Sequence, residues 1–141
     1  MACVIFMLLM SPVNVNANEG KVALIAAKGS AIEKMHLMDI RRLFLGFKLS
    51  VDGAAVKNAV LNVQSKLLYD EFMKNVMHMT EGSYKRKMVK RVFRQGRKRI
   101  REVSSLRELN DHLLENVGDI SFVEMSSIDD MESVEVVQIL W

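Results

Sequence analysis

Side chains with chemical potential are few in this chain and concentrate in three places. The first is Asn62-Val63-Gln64-Ser65-Lys66, where an apolar run gives way to a helical pattern. A strand turning into a helix gathers free backbone N–H groups and the positive end of the helix dipole, a combination that attracts anions. Gln64, the Ser65 hydroxyl and the Lys66 ammonium could touch such an anion; Ser65 could equally serve only as an N-cap. Gly29 and Ser30, after an earlier apolar run, would form the opposite lip, since open α/β sheets bind ligands at strand C-terminal ends. The second place is the stretch from Lys85 to Arg101, with ten Lys or Arg and no acid. It reads either as an attractor of polyanions or oxyanions, with Arg97 in its closing loop as a ligand candidate, or as a solvated helix face. Its only aromatic, Phe93, is placed on the apolar face of the helical pattern, which argues against nucleic acid. The third is the dispersed set His36, His78 and His112, which makes no HxxxH or HExxH spacing.

Nothing else suggests catalysis. There is no GxSxG, phosphate-binding P-loop or dinucleotide fingerprint, and the single Cys excludes a cysteine zinc site or an internal disulfide. Asp129-Asp130 with Glu132 reads as a solvated loop, and Met73, Met77, Met79 and Met88 as core packing. The expectation is therefore a non-catalytic protein with no catalytic residues, no metal site and no cofactor.

The elements that must position these groups alternate in type. Lys21 to Ala27 is a continuous apolar run of strand length, suited to a strand buried on both faces as in a parallel sheet under helices. Leu37, Ile40, Leu43 and Phe44 recur at helical spacing, with Gly46 placed to end that helix. Asp52-Gly53 signals a turn, and Val56 to Val63 reads as a second strand. Ser65 opens a helix faced by Leu68, Phe72, Val76 and Met79. Thr80 opens the next, with Tyr84, Met88, Val92 and Phe93 on one side and Gly96 near its end. Ser105 and Glu108 form a capping box before Leu106, Leu109 and Leu113, and Gly118 ends that helix. Ile120 to Met125 and Val134 to Leu140 read as the last strands. The pattern predicts an α/β fold with a mixed, mostly parallel sheet covered by helices.

Charge is segregated. Residues 102–141 carry ten Asp or Glu and one base, Arg107, so the net charge of +3 conceals a basic segment followed by an acidic one. The 50% apolar content is also unevenly spread. Met1 to Met10 has no charged side chain, and Val15-Asn16-Ala17 follows as a small-residue cleavage pattern. This predicts a signal peptide over 1–17 and an exported, periplasmic domain over 18–141, the alternative being a buried N-terminal element. The mature part would contain neither Cys nor Pro, and no apolar run in it approaches the ~20 residues of a membrane span.

The order of the pieces resembles the short phosphate-binding-protein-like domains related to the substrate-binding components of phosphate ABC transporters. The residues that carry it are Val22-Ala-Leu-Ile25, Asp39-Ile-Arg-Arg-Leu-Phe-Leu-Gly46, Asp52-Gly53, Ser65 with Leu68 and Phe72, Tyr84, Phe93, Gly96, Ser104-Ser105 and Asn116-Val-Gly-Asp-Ile-Ser-Phe-Val123. The resemblance covers about residues 21–124. It implies a single lobe of the periplasmic-binding-protein type II fold, with Ser65 at the family's hydroxyl position. The Arg, Asp and Gly-Thr of the family's phosphate loop have no counterpart in Asn62 to Lys66. Together these readings imply a protein that binds phosphate or another small oxyanion in envelope transport, alongside an ABC transporter or other envelope proteins. The alternative is an envelope protein-interaction module that kept the fold and lost the ligand, its basic stretch docking an acidic partner or another copy's acidic C-terminal third.

Overall fold

The computed structural model describes residues 20–49 and 55–141. The proposed signal peptide over 1–17 and the Asp52-Gly53 turn lie outside them. The elements run β1 (Val22–Ala27), α1 (Leu37–Phe44), β2 (Val60–Asn62), α2 (Lys66–Phe72), a π-turn (Met73–Met77), α3 (Glu81–Gln95), β3 (Arg101–Val103), α4 (Leu106–Glu115), β4 (Ile120–Glu124), a 3-10 turn (Met125–Asp130) and β5 (Val134–Ile139).

The fold is mixed α/β, as the alternation of patterns predicts, but the strand directions differ from the expectation. β1 lies between β4 and β5 and is antiparallel to both. Among the described residues only β2 and β3 form a parallel ladder, joined to the larger sheet by a parallel bridge between Ala59 and Ile120. Ladder pairing is thus mostly antiparallel, and a mostly parallel sheet is corrected on that point. The full burial of β1 is nonetheless as expected. Helices on both faces bury a strand whatever its direction, so a continuous apolar run reports coverage and not orientation.

Side chains alternate across β1 into two cores. Val22, Leu24 and Ala26 join Phe44, Leu61, Phe72, Tyr84 and Phe122 on the face covered by α1, α2 and α3. Ala23 and Ile25 join Val103, Leu109, Leu113 and Val123 on the face covered by α4. The result is a three-layer arrangement with α3 and α4 on opposite sides of the strands.

The helix ends follow the sequence signals. Gly46 has φ +83°, and the amides of Gly46 and Phe47 donate to the carbonyls of Leu43 and Arg42 at 2.9 and 3.0 Å. This is a Schellman ending, which needs a residue that tolerates positive φ. Gly118 is required for a different reason: a Cβ there would lie 2.9 Å from the Ala55 carbonyl and from the Lys57 stem. Its bare backbone lets the lead-in to β2 approach, with Lys57 N–H donating to Gly118 O at 2.7 Å.

Four features depart from the spacing. β2 is shorter than Val56 to Val63, and β3 lies inside the basic-to-acidic transition, where only Val103 is buried. The helix after Ser65 does not continue unbroken: it passes into the π-turn and stops at His78, which has φ +53°. On α3, Phe93 is 83% exposed, while Arg91 is buried beside Tyr84's face. Two helical turns separate Tyr84 from Arg91, so these residues share a side and Phe93 lies across the helix from Tyr84.

Candidate functional site: a basic cleft at the strand starts

The Ser65 turn is engaged in its own structure. Ser65 Oγ accepts from Leu68 N–H at 3.3 Å as the N-cap of α2, a helix of seven residues. Lys66 Nζ is held 2.6 Å from Asp70 Oδ1 and 3.0 Å from Glu81 Oε2, and these hydrogen bonds raise its pKa. Glu81 also takes Lys85 at 2.6 Å, and its carboxyl is held below the ordinary range by Lys85 and then Lys66. Gln64 is exposed, and its backbone N–H donates to Asn62 Oδ1 at 3.1 Å. The small cleft there, about 200 Å³, is lined by Lys66 and Lys85 but also by Glu81 and Glu102, so it offers no excess positive charge. Ser65→Ala should therefore behave as a lost cap. Urea unfolding is expected to show about 0.5–2 kcal/mol of destabilisation, with phosphate binding unchanged.

Gly29 and Ser30 do not face Ser65. Val22 pairs with Glu124 and Ala26 with Ile120, so β1 ends where β4 begins. Ser65 instead follows β2, which runs parallel to β4, and Asn62 Nδ2 reaches Phe122 O at 3.0 Å. The two turns sit at opposite ends of the strands and cannot form one cleft. Antiparallel pairing of β1 is the cause. Ser30 is buried, with its Oγ unpartnered among the described residues.

Arg97 is the one predicted ligand that lies in a strongly basic cleft. This cleft, about 600 Å³, is lined by Lys48, Lys57, Arg97, Lys98, Arg99 and Arg101, with Asp119 its only carboxylate among the described lining residues. It forms where α1 ends at Gly46, α3 ends at Gly96, and β2, β3 and β4 begin. That is the N-terminal end of the strands, the reverse of the rule for open parallel sheets. Two helix C-termini point here, each worth about half a negative charge. Six side-chain cations outweigh them and the single carboxylate.

The acid is already committed. Asp119 Oδ2 lies 2.8 Å from His112 Nε2, and Asp119 Oδ1 accepts from Asn58 Nδ2 at 3.2 Å. His112 Nδ1 faces Asn116 Nδ2, at the cap of its own helix, at 3.4 Å, so both ring nitrogens are occupied, and the Asp119 contact braces α4 to the start of β4. Of the cleft's bases, Arg101 pairs with Glu108 at 3.6 Å. Lys48, Lys57, Arg97, Lys98 and Arg99 make no ion pair among the described residues. Such a cleft can hold and orient an anion through several flexible cations.

Arg91 stands behind this cleft. Its guanidinium stacks on Phe47, a lining residue, 3.4 Å from the ring centroid. Nε and Nη2 are buried without a partner among the described residues, and burial, then Arg97, lowers its pKa. Unpaired buried donors on a cation are costly. Arg91→Met would keep contact with the ring through its thioether and remove the orphaned donors. The variant is expected to be as stable as the parent or more so by thermal unfolding. A loss above ~2 kcal/mol would show that these donors are satisfied in solution.

Sequence reasoning identified the basic run and Arg97 but missed Lys48 and Lys57. The available signal was a base two residues past a helix-ending glycine, Gly46-Phe47-Lys48, matching Gly96-Arg97-Lys98. No protein-family model matches the chain, and no curated protein matches it in sequence.

Proposed function

We propose that this is a non-catalytic binding protein for phosphate or another small oxyanion, and that the ligand sits in the basic cleft. The observation that carries the reading is a ~600 Å³ cleft in which five cations lack an ion pair among the described residues. Clefts of roughly 300–1,000 Å³ are the size that small ligands use. The motif order that resembles phosphate-binding-protein-like domains supports the same ligand class, though by a different surface from the Ser65 turn. The first seventeen residues support export to the periplasm, where the protein would serve envelope transport, an ABC transporter among its partners. No helix among the described residues is long and apolar enough to cross a membrane. Calorimetric titration with inorganic phosphate at low salt tests the proposal. Saturable heat that weakens with added salt is expected; no heat and no thermal shift at millimolar phosphate contradicts it.

A further inference from the structure

Two exposed apolar pairs lie on opposite layers of the molecule, one among mostly basic and the other among mostly acidic side chains. On α3, Val89 and Phe93 are 46% and 83% exposed, one helical turn apart. Lys85, Arg86 and Lys90 stand around them on the same helix, and Arg97 follows it. On the other side, Leu114 and Val117 at the end of α4 are 56% and 48% exposed. Asp111 and Glu115 flank them, and the neighbouring turn on that layer adds Asp129, Asp130 and Glu132. Arg107 is the only Lys or Arg on α4, and the Lys57 stem lies against Gly118 beside Val117, so acids outnumber bases there without excluding them.

We infer that the α3 face of one copy docks on the α4 face of a second copy. The partner is another copy because the chain itself carries the complementary surface: apolar pair meets apolar pair, and a mostly basic surround meets a mostly acidic one. The two faces cannot meet within one molecule, since the strands lie between them. The contact is therefore heterologous, head to tail, and each added copy presents a fresh face. It grows into a ring if the rotation closes and into a filament if it does not. Electrostatic attraction across it must weaken as salt shortens the screening length. The inference stands apart from the cleft's ligand and survives its failure.

Sedimentation velocity of the full chain between ~0.02 M and ~0.5 M salt tests it, conditions between which screening changes severalfold. Dimers and larger species are expected at low salt, reverting to monomer at high salt. Phe93→Ser and Leu114→Ser change exposed positions, so circular dichroism should show each folded as the parent. Each should self-associate at least ~10-fold more weakly, as removal of an interface anchor does. The decisive sample is their equal mixture. One variant keeps its α4 face and the other its α3 face, so the mixture should form a dimer and nothing larger. A parent that stays monomeric at low salt overturns the inference, as does association that neither substitution affects, or a mixture that stays monomeric. Binding of the parent to anionic vesicles, lost in Phe93→Ser and without self-association, would overturn it and assign α3 to a lipid surface.

Discussion

Phe72→Ala is expected to cost about 3–5 kcal/mol. Phe72 is fully buried at the end of α2. Its ring stacks on Phe122 with centroids 3.8 Å apart and planes 2° from parallel, and meets Phe44 edge-on at 4.8 Å. Phe44 and Phe122 are themselves 5.8 Å apart. Three rings thus join α1, α2 and β4 at one point. Truncation would remove the apolar burial of one ring and leave a cavity between the other two, which the strand and helix backbones hold apart. Against a usual total of roughly 5–15 kcal/mol, the variant would retain little stability. Urea unfolding monitored by circular dichroism measures this. Phe93→Ala is the matched control: the same chemistry at an exposed site should change stability by less than ~0.5 kcal/mol. Near-equal values for the two would contradict the core as described.

The second large effect is on binding. Lys57→Glu with Arg97→Glu should abolish measurable phosphate binding, a loss of ~100-fold or more. A hydrogen bond to a charged group contributes about 1.5–3 kcal/mol, and reversal adds repulsion where attraction stood. Lys57 leads into β2 and Arg97 follows α3, so the two bracket the cleft from different elements. Both are exposed, and the protein's stability should be nearly unchanged. Calorimetry alongside thermal unfolding separates the outcomes. Full binding by the folded double variant would contradict phosphate binding in the cleft.

Helix ends and the buried strand were readable because each depends on a few adjacent residues. Gly46, Ser65, Thr80 and Ser105 end or cap helices as their types and positions imply. Strand direction was not readable. β1 pairs with residues about a hundred positions away, and nothing local in Val22–Ala27 encodes which way they run. That single unknown displaced the site: with β1 parallel, Gly29 and Ser30 would have faced Ser65. The exposure of Phe93 is not legible from residue type, which points an aromatic to the core, although its phase on the helix opposes Tyr84. The burial of Arg91 is hidden for the converse reason: its type points a base to solvent, while Phe47, distant in sequence, provides a ring for it to stack on. The cleft was half legible. Its basic run is contiguous in sequence, whereas Lys48 and Lys57 reach it only through the folded position of the segments beside β2.

The most direct test of the central claim is a phosphate titration followed residue by residue in the amide ¹H–¹⁵N spectrum at low salt. Binding in the basic cleft predicts saturable shifts at Lys57, Asn58 and Gly96 to Arg101, with Gln64 to Leu68 and Gly29-Ser30 unmoved. Shifts confined to Gln64 to Leu68, or none at millimolar phosphate, would contradict it.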